Sequence, residues 1–219
     1  MRIRYKPWAR KELEESFFYR EHPEEIIGKW RNEFINSKNP FFLELGCGKG
    51  GFISEMAYLH PENNYLAIDL VDPMLGLAKR NIEKVYNEGK RKIDNLLITR
   101  FDIERIHLIL NELDMVDGIY INFCNPWPRG KHNKRRLTHT KQLEHYKKIM
   151  KPGAKVFFKT DDDGLFEDSI RYFEKSEFKI LKITRDLKNE LDFWENIETE
   201  HEKMFSDQGI KIKALIAQI

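Results

Sequence analysis

From residue 40 onward, short apolar segments alternate with stretches long enough for a helix, and few architectures accommodate that rhythm. Strands are predicted at Pro40–Leu45, Tyr65–Leu70, Leu96–Phe101, Gly118–Phe123, Lys155–Thr160, Lys179–Thr184 and Ile212–Ile219. Helices are predicted between most of them, at Pro73–Glu88, Gln142–Met150 and Gly164–Ser176. Repeated strand–helix–strand units imply an α/β fold: a doubly wound, mostly parallel, seven-stranded sheet with helices on both faces. Before it lies a basic N-terminal arm carrying Arg2, Arg4, Lys6, Arg10 and Lys11, then a helix expected from Pro23 to Phe34. The expected division is therefore 1–39 for arm and helix and 40–219 for the sheet domain. At 219 residues, one α/β domain fits and two do not fit comfortably.

Ligands of such sheets gather beyond the C-terminal ends of the strands. Five predicted strands lead straight into chemically loaded residues. Gly46–Gly51 follows the first, Asp69 closes the second, and Asp102 follows the third. Cys124–Lys134 follows the fourth and Asp161–Asp163 the fifth. Gly46, Gly48 and Gly51 fit a G-x-G-x-x-G turn, with Asp69 at the distance of a ribose-binding acid. Taken alone, that turn suits a nicotinamide cofactor and a methyl donor equally well. Glu44 separates them. An acid inside a buried strand needs a cationic partner, which the amino and sulfonium groups of S-adenosylmethionine provide. Asp69 would accept from the ribose hydroxyls and Asp102 from the adenine amino group. Three acids at successive strand ends suit an adenosyl amino acid and would repel a pyrophosphate.

The loop Cys124-Asn125-Pro126-Trp127-Pro128 is stiffened by two prolines and runs directly into Arg129, Lys131, His132, Asn133, Lys134, Arg135 and Arg136. Net charge is only +2, yet residues 129–143 hold six Lys/Arg and no acid, which localises an anionic partner to one place. On the rim of a cofactor site these cations read as phosphate contacts that position a nucleic acid. Trp127 suits either stacking on a base or wedging the loop. Cys47 and Cys124 stand in no metal-ligand or redox spacing and read as small packing residues of a reduced, cytoplasmic protein. Met1–Trp8 has charge with no apolar run behind it, so neither a signal peptide nor a membrane span is expected.

These motifs together resemble the bacterial tRNA (guanine-N7-)-methyltransferases, class I methyltransferases with a Rossmann-like fold. The likeness runs from Phe42-Leu43-Glu44-Leu45-Gly46-Cys47-Gly48-Lys49-Gly50 to Thr199-Glu200-His201-Glu202-Lys203-Met204-Phe205. Its most specific stretches are Asn122–Pro128, Lys131–Thr138 and Phe158-Lys159-Thr160-Asp161. The resemblance implies methyl transfer from S-adenosylmethionine to N7 of a guanine in the tRNA variable loop, leaving S-adenosylhomocysteine. It implies cofactor contacts at Glu44, Asp69, Asp102 and Asn125, with Gly46 and Gly48 in the turn. It implies substrate contacts at Arg129, Asp161, Thr199, Glu200, His201 and Glu202, and RNA binding across Lys131–Arg136. The partner is then tRNA, to a monomer or homodimer without an obligate protein partner. This chain departs from the family's usual residues at Asp69 (Glu), His201 (Tyr) and Asn125 (Asp).

Guanine N7 carries no proton and needs no general base, so placement is the main catalytic demand. Methylation leaves a cationic purine, which a nearby carboxylate favours. With Asn125 neutral, that role goes first to Asp161 and second to Glu202. Structural roles compete: helix capping within Asp161–Asp163, and a capping box from Thr199 to Glu202. An amino-group methyltransferase is the nearest rival, but its loop follows an Asn-Pro-Pro-Tyr pattern. A non-catalytic RNA-binding module would be expected to lose the glycines or Glu44.

Overall fold

The structure is a computed structural model that describes residues 4–190 and 192–219; Arg2 of the basic arm lies outside them. Its internal contacts group the chain into two compact units, Met1–Asp114 and Met115–Ile219.

In chain order, the first unit contains helix α1 (Pro7–Glu14), strands β1 (Tyr19–Arg20) and β2 (Phe41–Leu45), helix α2 (Gly51–Leu59), strand β3 (Asn64–Asp69), helix α3 (Asp72–Glu88) and strand β4 (Leu96–Arg100). Its strands lie in the order β1-β4-β3-β2, each neighbouring pair parallel. A parallel sheet buries both faces, which explains why β2 to β4 read as continuous apolar runs: Leu43, Leu45, Leu66, Ala67, Ile68 and Ile98 are fully buried. Helix α3 opens with Asp72-Pro73, a start that supplies a fixed φ and an acid at the positive end of the helix.

Two features here differ from the sequence expectation. Strand β1 adds an eighth strand, two residues long, with the Thr99 hydroxyl donating to the Arg20 carbonyl at 2.6 Å. The helix expected over Pro23–Phe34 is instead two 3-10 turns, Pro23–Ile26 and Trp30–Glu33. Gly28 breaks it, at φ +76°. Buried Asp114 holds the break by accepting from the backbone N–H of Gly28 at 2.6 Å and of Trp30 at 3.1 Å. The Trp30 indole donates to the Ile109 carbonyl at 2.7 Å, so tertiary bonding overrides helical continuity. The arm from Pro7 is itself a helix folded onto α3. A Cβ on Gly76 would lie 2.7 Å from that of Ala9, and the Arg80 guanidinium covers the Trp8 ring at 3.6 Å.

The second unit contains β5 (Val116–Asn122), α4 (Thr140–Lys147), β6 (Met150–Thr160), α5 (Asp163–Lys175), β7 (Lys179–Thr184), α6 (Glu200–Asp207) and β8 (Lys213–Gln218). Its order is β5-β6-β8-β7, with β5 and β6 parallel and β8 antiparallel to both its neighbours. The predicted helix 142–150 begins earlier and ends at Lys147, because His139 Nδ1 caps it by accepting from Lys141 N at 3.1 Å and Met150 already belongs to β6. Among the described residues, no helix is long and apolar enough to cross a membrane.

Candidate active site

In the first unit the turn after β2 is built by main-chain bonds. Gly46 N and Cys47 N both donate to the Ile68 carbonyl, at 2.9 and 3.1 Å, and Gly50 N donates to the Cys47 carbonyl at 2.8 Å. Gly46, Gly48 and Gly50 all have positive φ, the region glycine enters freely. Gly50 is further confined: a Cβ there would stand 2.8 Å from the Ala78 Cβ. The turn can therefore press against α3 only without a side chain.

Acids surround this turn. Glu44 is 2% exposed in β2. Asp69 closes β3, and its carboxylate accepts from Gly48 N at 2.9 Å and Val71 N at 3.1 Å. Burial pushes the Asp69 carboxyl above the ordinary carboxylate range, against those N–H donors. Burial, then Asp69 and Glu44, hold the Cys47 thiol well above its ordinary value, so it stays protonated. Asp102 follows β4 and accepts from Glu104 N at 3.0 Å, capping the 3-10 stretch Ile103–Leu108.

In the second unit the loop after β5 is held in a strained shape. Phe123 and Trp127 have φ of +51° and +42°, costly for bulky side chains. Asn125 Oδ1 accepts from Trp127 N at 3.0 Å, a local turn that an Asp would make equally well. Arg129, Lys131, Lys134 and Arg135 are exposed, and Arg135 lies 3.9 Å over the Trp127 ring. His132 packs on the same indole at 5.7 Å, while Asn133 sits partly buried in the 3-10 stretch Gly130–Arg135. Arg136 differs from the rest of the run. It is buried, donates to the Pro126 carbonyl at 2.7 Å, and pairs with Asp168 of α5. Its guanidinium is engaged inside the protein, a distinction the run of like residues does not signal.

Asp162 performs the expected cap, accepting from Leu165 N at 2.6 Å, and Asp161 is left beside it at the end of β6. The Asp161 carbonyl accepts from Lys213 Nζ at 2.8 Å. Burial pushes the Cys124 thiol up to about 12, with Asp161 a smaller contributor. Thr199 caps α6 by accepting from Glu202 N at 3.0 Å. The Glu202 side chain does not complete a capping box. It pairs with Lys159 at 2.6 Å and accepts from Asn196 Nδ2 at 2.7 Å. Glu200 and His201 are exposed, and the His201 ring stacks on Phe123 at 6.0 Å. Sequence reasoning gives Lys159 no role, although a lysine closing an apolar strand carries the same signal as Glu44.

Comparison with known proteins gives a consistent result. A family model described as "Putative methyltransferase" matches residues 38–215. A tRNA (guanine-N(7)-)-methyltransferase of Clostridium beijerinckii is 56% identical over 217 residues, covering 99% of this chain and 98% of its own. Proteins of the same name from Clostridium perfringens (strain SM101) and Acetivibrio thermocellus are 52% and 49% identical, each covering 100% of this chain and 99% of its own. Among solved structures, the 16S rRNA methyltransferase KamB aligns with a TM-score of 0.59 at 16% identity, covering 83% of this chain and 88% of that one. Precorrin-6y C5,15-methyltransferase of Geobacter metallireducens gives 0.56 at 11%, covering 83% and 82%. At such identities the structural likeness speaks to the fold, an α/β methyltransferase fold, and to nothing finer.

Proposed function

Because the chain belongs to the tRNA (guanine-N7-)-methyltransferase family, and so methylates N7 of a guanine in tRNA with S-adenosylmethionine as donor, we propose that the target lies in the variable loop, that the first unit holds the donor, and that the second holds the guanine. The observation that carries the donor assignment is the buried acid Glu44 directly before a turn whose Gly50 has no room for a Cβ. The donor set fits the group: Glu44 and Asp69 suit its cationic amino acid and ribose hydroxyls, and Asp102 suits the adenine amino group. Gly46 and Gly48 let the main chain approach it closely. S-adenosylmethionine supplies a methyl group already activated on a sulfonium, and S-adenosylhomocysteine is what remains.

On the acceptor side no residue needs to remove a proton, since N7 has a free lone pair. Asp161 is the carboxylate we assign to the charge that develops on the purine. Glu202 is second in that role, because its carboxylate is shared with Lys159. Asn125 holds the loop and, being neutral, adds only hydrogen bonds to either ligand. Arg129, Lys131, Lys134 and Arg135 meet phosphates, with His132 and Asn133 between them. Arg136 orders the loop from inside, and Thr199, Glu200 and His201 present the C-terminal edge of the acceptor side. Neither cysteine acts, as both thiols are held protonated by burial.

The test is methyl transfer to bulk unmodified tRNA followed by nucleoside mapping. We expect 7-methylguanine in the variable loop, and N6-methyladenine or a methyl group elsewhere would defeat the reading. In the same assay Asp161→Ala at saturating donor is expected to lose about 10²-fold in turnover. Near-normal turnover with unchanged tRNA affinity would remove Asp161 from the mechanism.

A further inference from the structure

Lys159 is the penultimate residue of β6, and its side chain is fully buried. A buried ammonium is tolerated only where its hydrogen-bond donors are met. Here the three N–H groups have three acceptors: Glu202 Oε2 at 2.6 Å, Asn196 Oδ1 at 2.8 Å and the Ile197 carbonyl at 3.0 Å. Asn196 and Ile197 belong to the segment that leads into α6, and Glu202 to the first turn of α6. The main chain of Lys159 makes a second connection, its carbonyl accepting from Phe123 N at 2.9 Å where the loop after β5 begins. The Phe123 ring in turn lies 5.9 Å from the Lys159 ammonium and stacks on His201 and Phe205. Two residues further along the chain is Asp161. One residue thus ties together the strained loop 123–128, the segment 196–202 and the strand end that carries Asp161.

We propose that Lys159 is a positioning residue for methyl transfer, setting the relative placement of the three pieces that address the guanine. It touches neither donor nor acceptor and acts through Glu202, Asn196 and Phe123. The inference rests on the acceptor reading given above. Its physical basis is that a hydrogen-bonded network anchored on a buried ion pair has few alternative geometries, so side chains hung from it are fixed in advance of binding. An aliphatic residue would fill the space without fixing the segment.

The test uses the full chain with saturating S-adenosylmethionine and varied unmodified tRNA. Lys159→Met alone leaves Glu202 buried without its cation and is expected to lose stability. The informative variant is therefore Lys159→Met/Glu202→Gln, which removes both charges together, read against Glu202→Gln alone because that carboxylate has an assigned role of its own. Per folded molecule, kcat/KM for tRNA is expected to fall about 10- to 100-fold, mostly through KM, as when a supporting shell is lost. Donor Kd by calorimetry should stay within about twofold, that is, within about 0.4 kcal/mol. Asn196→Ala removes one acceptor for Lys159 and one donor to Glu202 while keeping the ion pair, and should raise the tRNA KM in the same direction by less. Wild-type kcat and KM in both variants would overturn the positioning role, provided Asp161→Ala measured alongside has lost turnover. If Asp161→Ala is as active as the wild type, the acceptor reading falls and the positioning role falls with it.

Discussion

Gly50 answers two demands at once, a left-handed φ of +72° and contact with α3 too close for a side chain. Gly50→Ala should therefore destabilise the chain by about 1–3 kcal/mol, from backbone strain and overpacking together. Urea unfolding would measure it, and a midpoint equal to wild type would show that the turn relaxes freely. Gly51 is the contrast, since a Cβ there meets nothing within 4 Å. The glycines were legible in the sequence as a turn, but which of them cannot change was not. That depends on Ala78, twenty-eight residues away in the chain. Buried charge was partly legible for the same reason in two places. Glu44 and Lys159 are ionisable residues inside apolar strands, and both prove buried. For Glu44 the proposed donor supplies a cationic partner, whereas the partners of Lys159 lie more than thirty residues away and leave no local trace.

Elements show a different balance. Strands β2 to β8 follow from apolar runs bounded by turn residues, and all are where the pattern puts them to within two residues except β6, which begins five residues earlier, at Met150. Strand β1 has two residues and no period to detect. The Pro23–Phe34 helix failed because acids after a proline are a good helix start, while the competing Asp114 is eighty-six residues from Gly28. The basic run after β5 divides by direction, not by composition. Lys134 and Arg135 face solvent, and Arg136 ties the loop to α5 through Asp168. Hydrogen bonds from Arg136 and Arg171 outweigh burial and hold the Asp168 carboxyl below its ordinary value. Lys134→Ala and Arg135→Ala should each weaken tRNA binding and flatten the plot of log affinity against log salt by about 0.7–0.9. Arg136→Ala should leave that slope alone and cost roughly 2–4 kcal/mol of stability, less than a fully buried pair because Asp168 is partly exposed. Salt titrations and unfolding curves of the three variants separate the roles. An Arg136→Ala protein of normal stability and reduced salt slope would place Arg136 with its neighbours.

At the scale of the whole molecule, the proposed assignment puts Glu44, Asp69 and Asp102 in the first unit and Asp161 in the second, so their effects should part in a stability measurement. A ligand present at 100 times its Kd stabilises the folded state by about 2.7 kcal/mol, which for a chain of this size is roughly 5–10 °C in Tm. S-adenosylmethionine should produce that shift in wild type and in Asp161→Ala, and much less in Glu44→Gln. Equal shifts in all three would separate Glu44 from donor binding. The strand order of the second unit bears on something else, the time at which that unit is completed. Strand β8 lies between β6 and β7 although it is synthesised after both. Until residues 213–218 leave the ribosome, two strand edges stand open and Lys213 is not there to hold the Asp161 carbonyl. A nascent chain can thus pair β2, β3 and β4 early, whereas the Asp161 carbonyl gains its lysine only after β8 has been made.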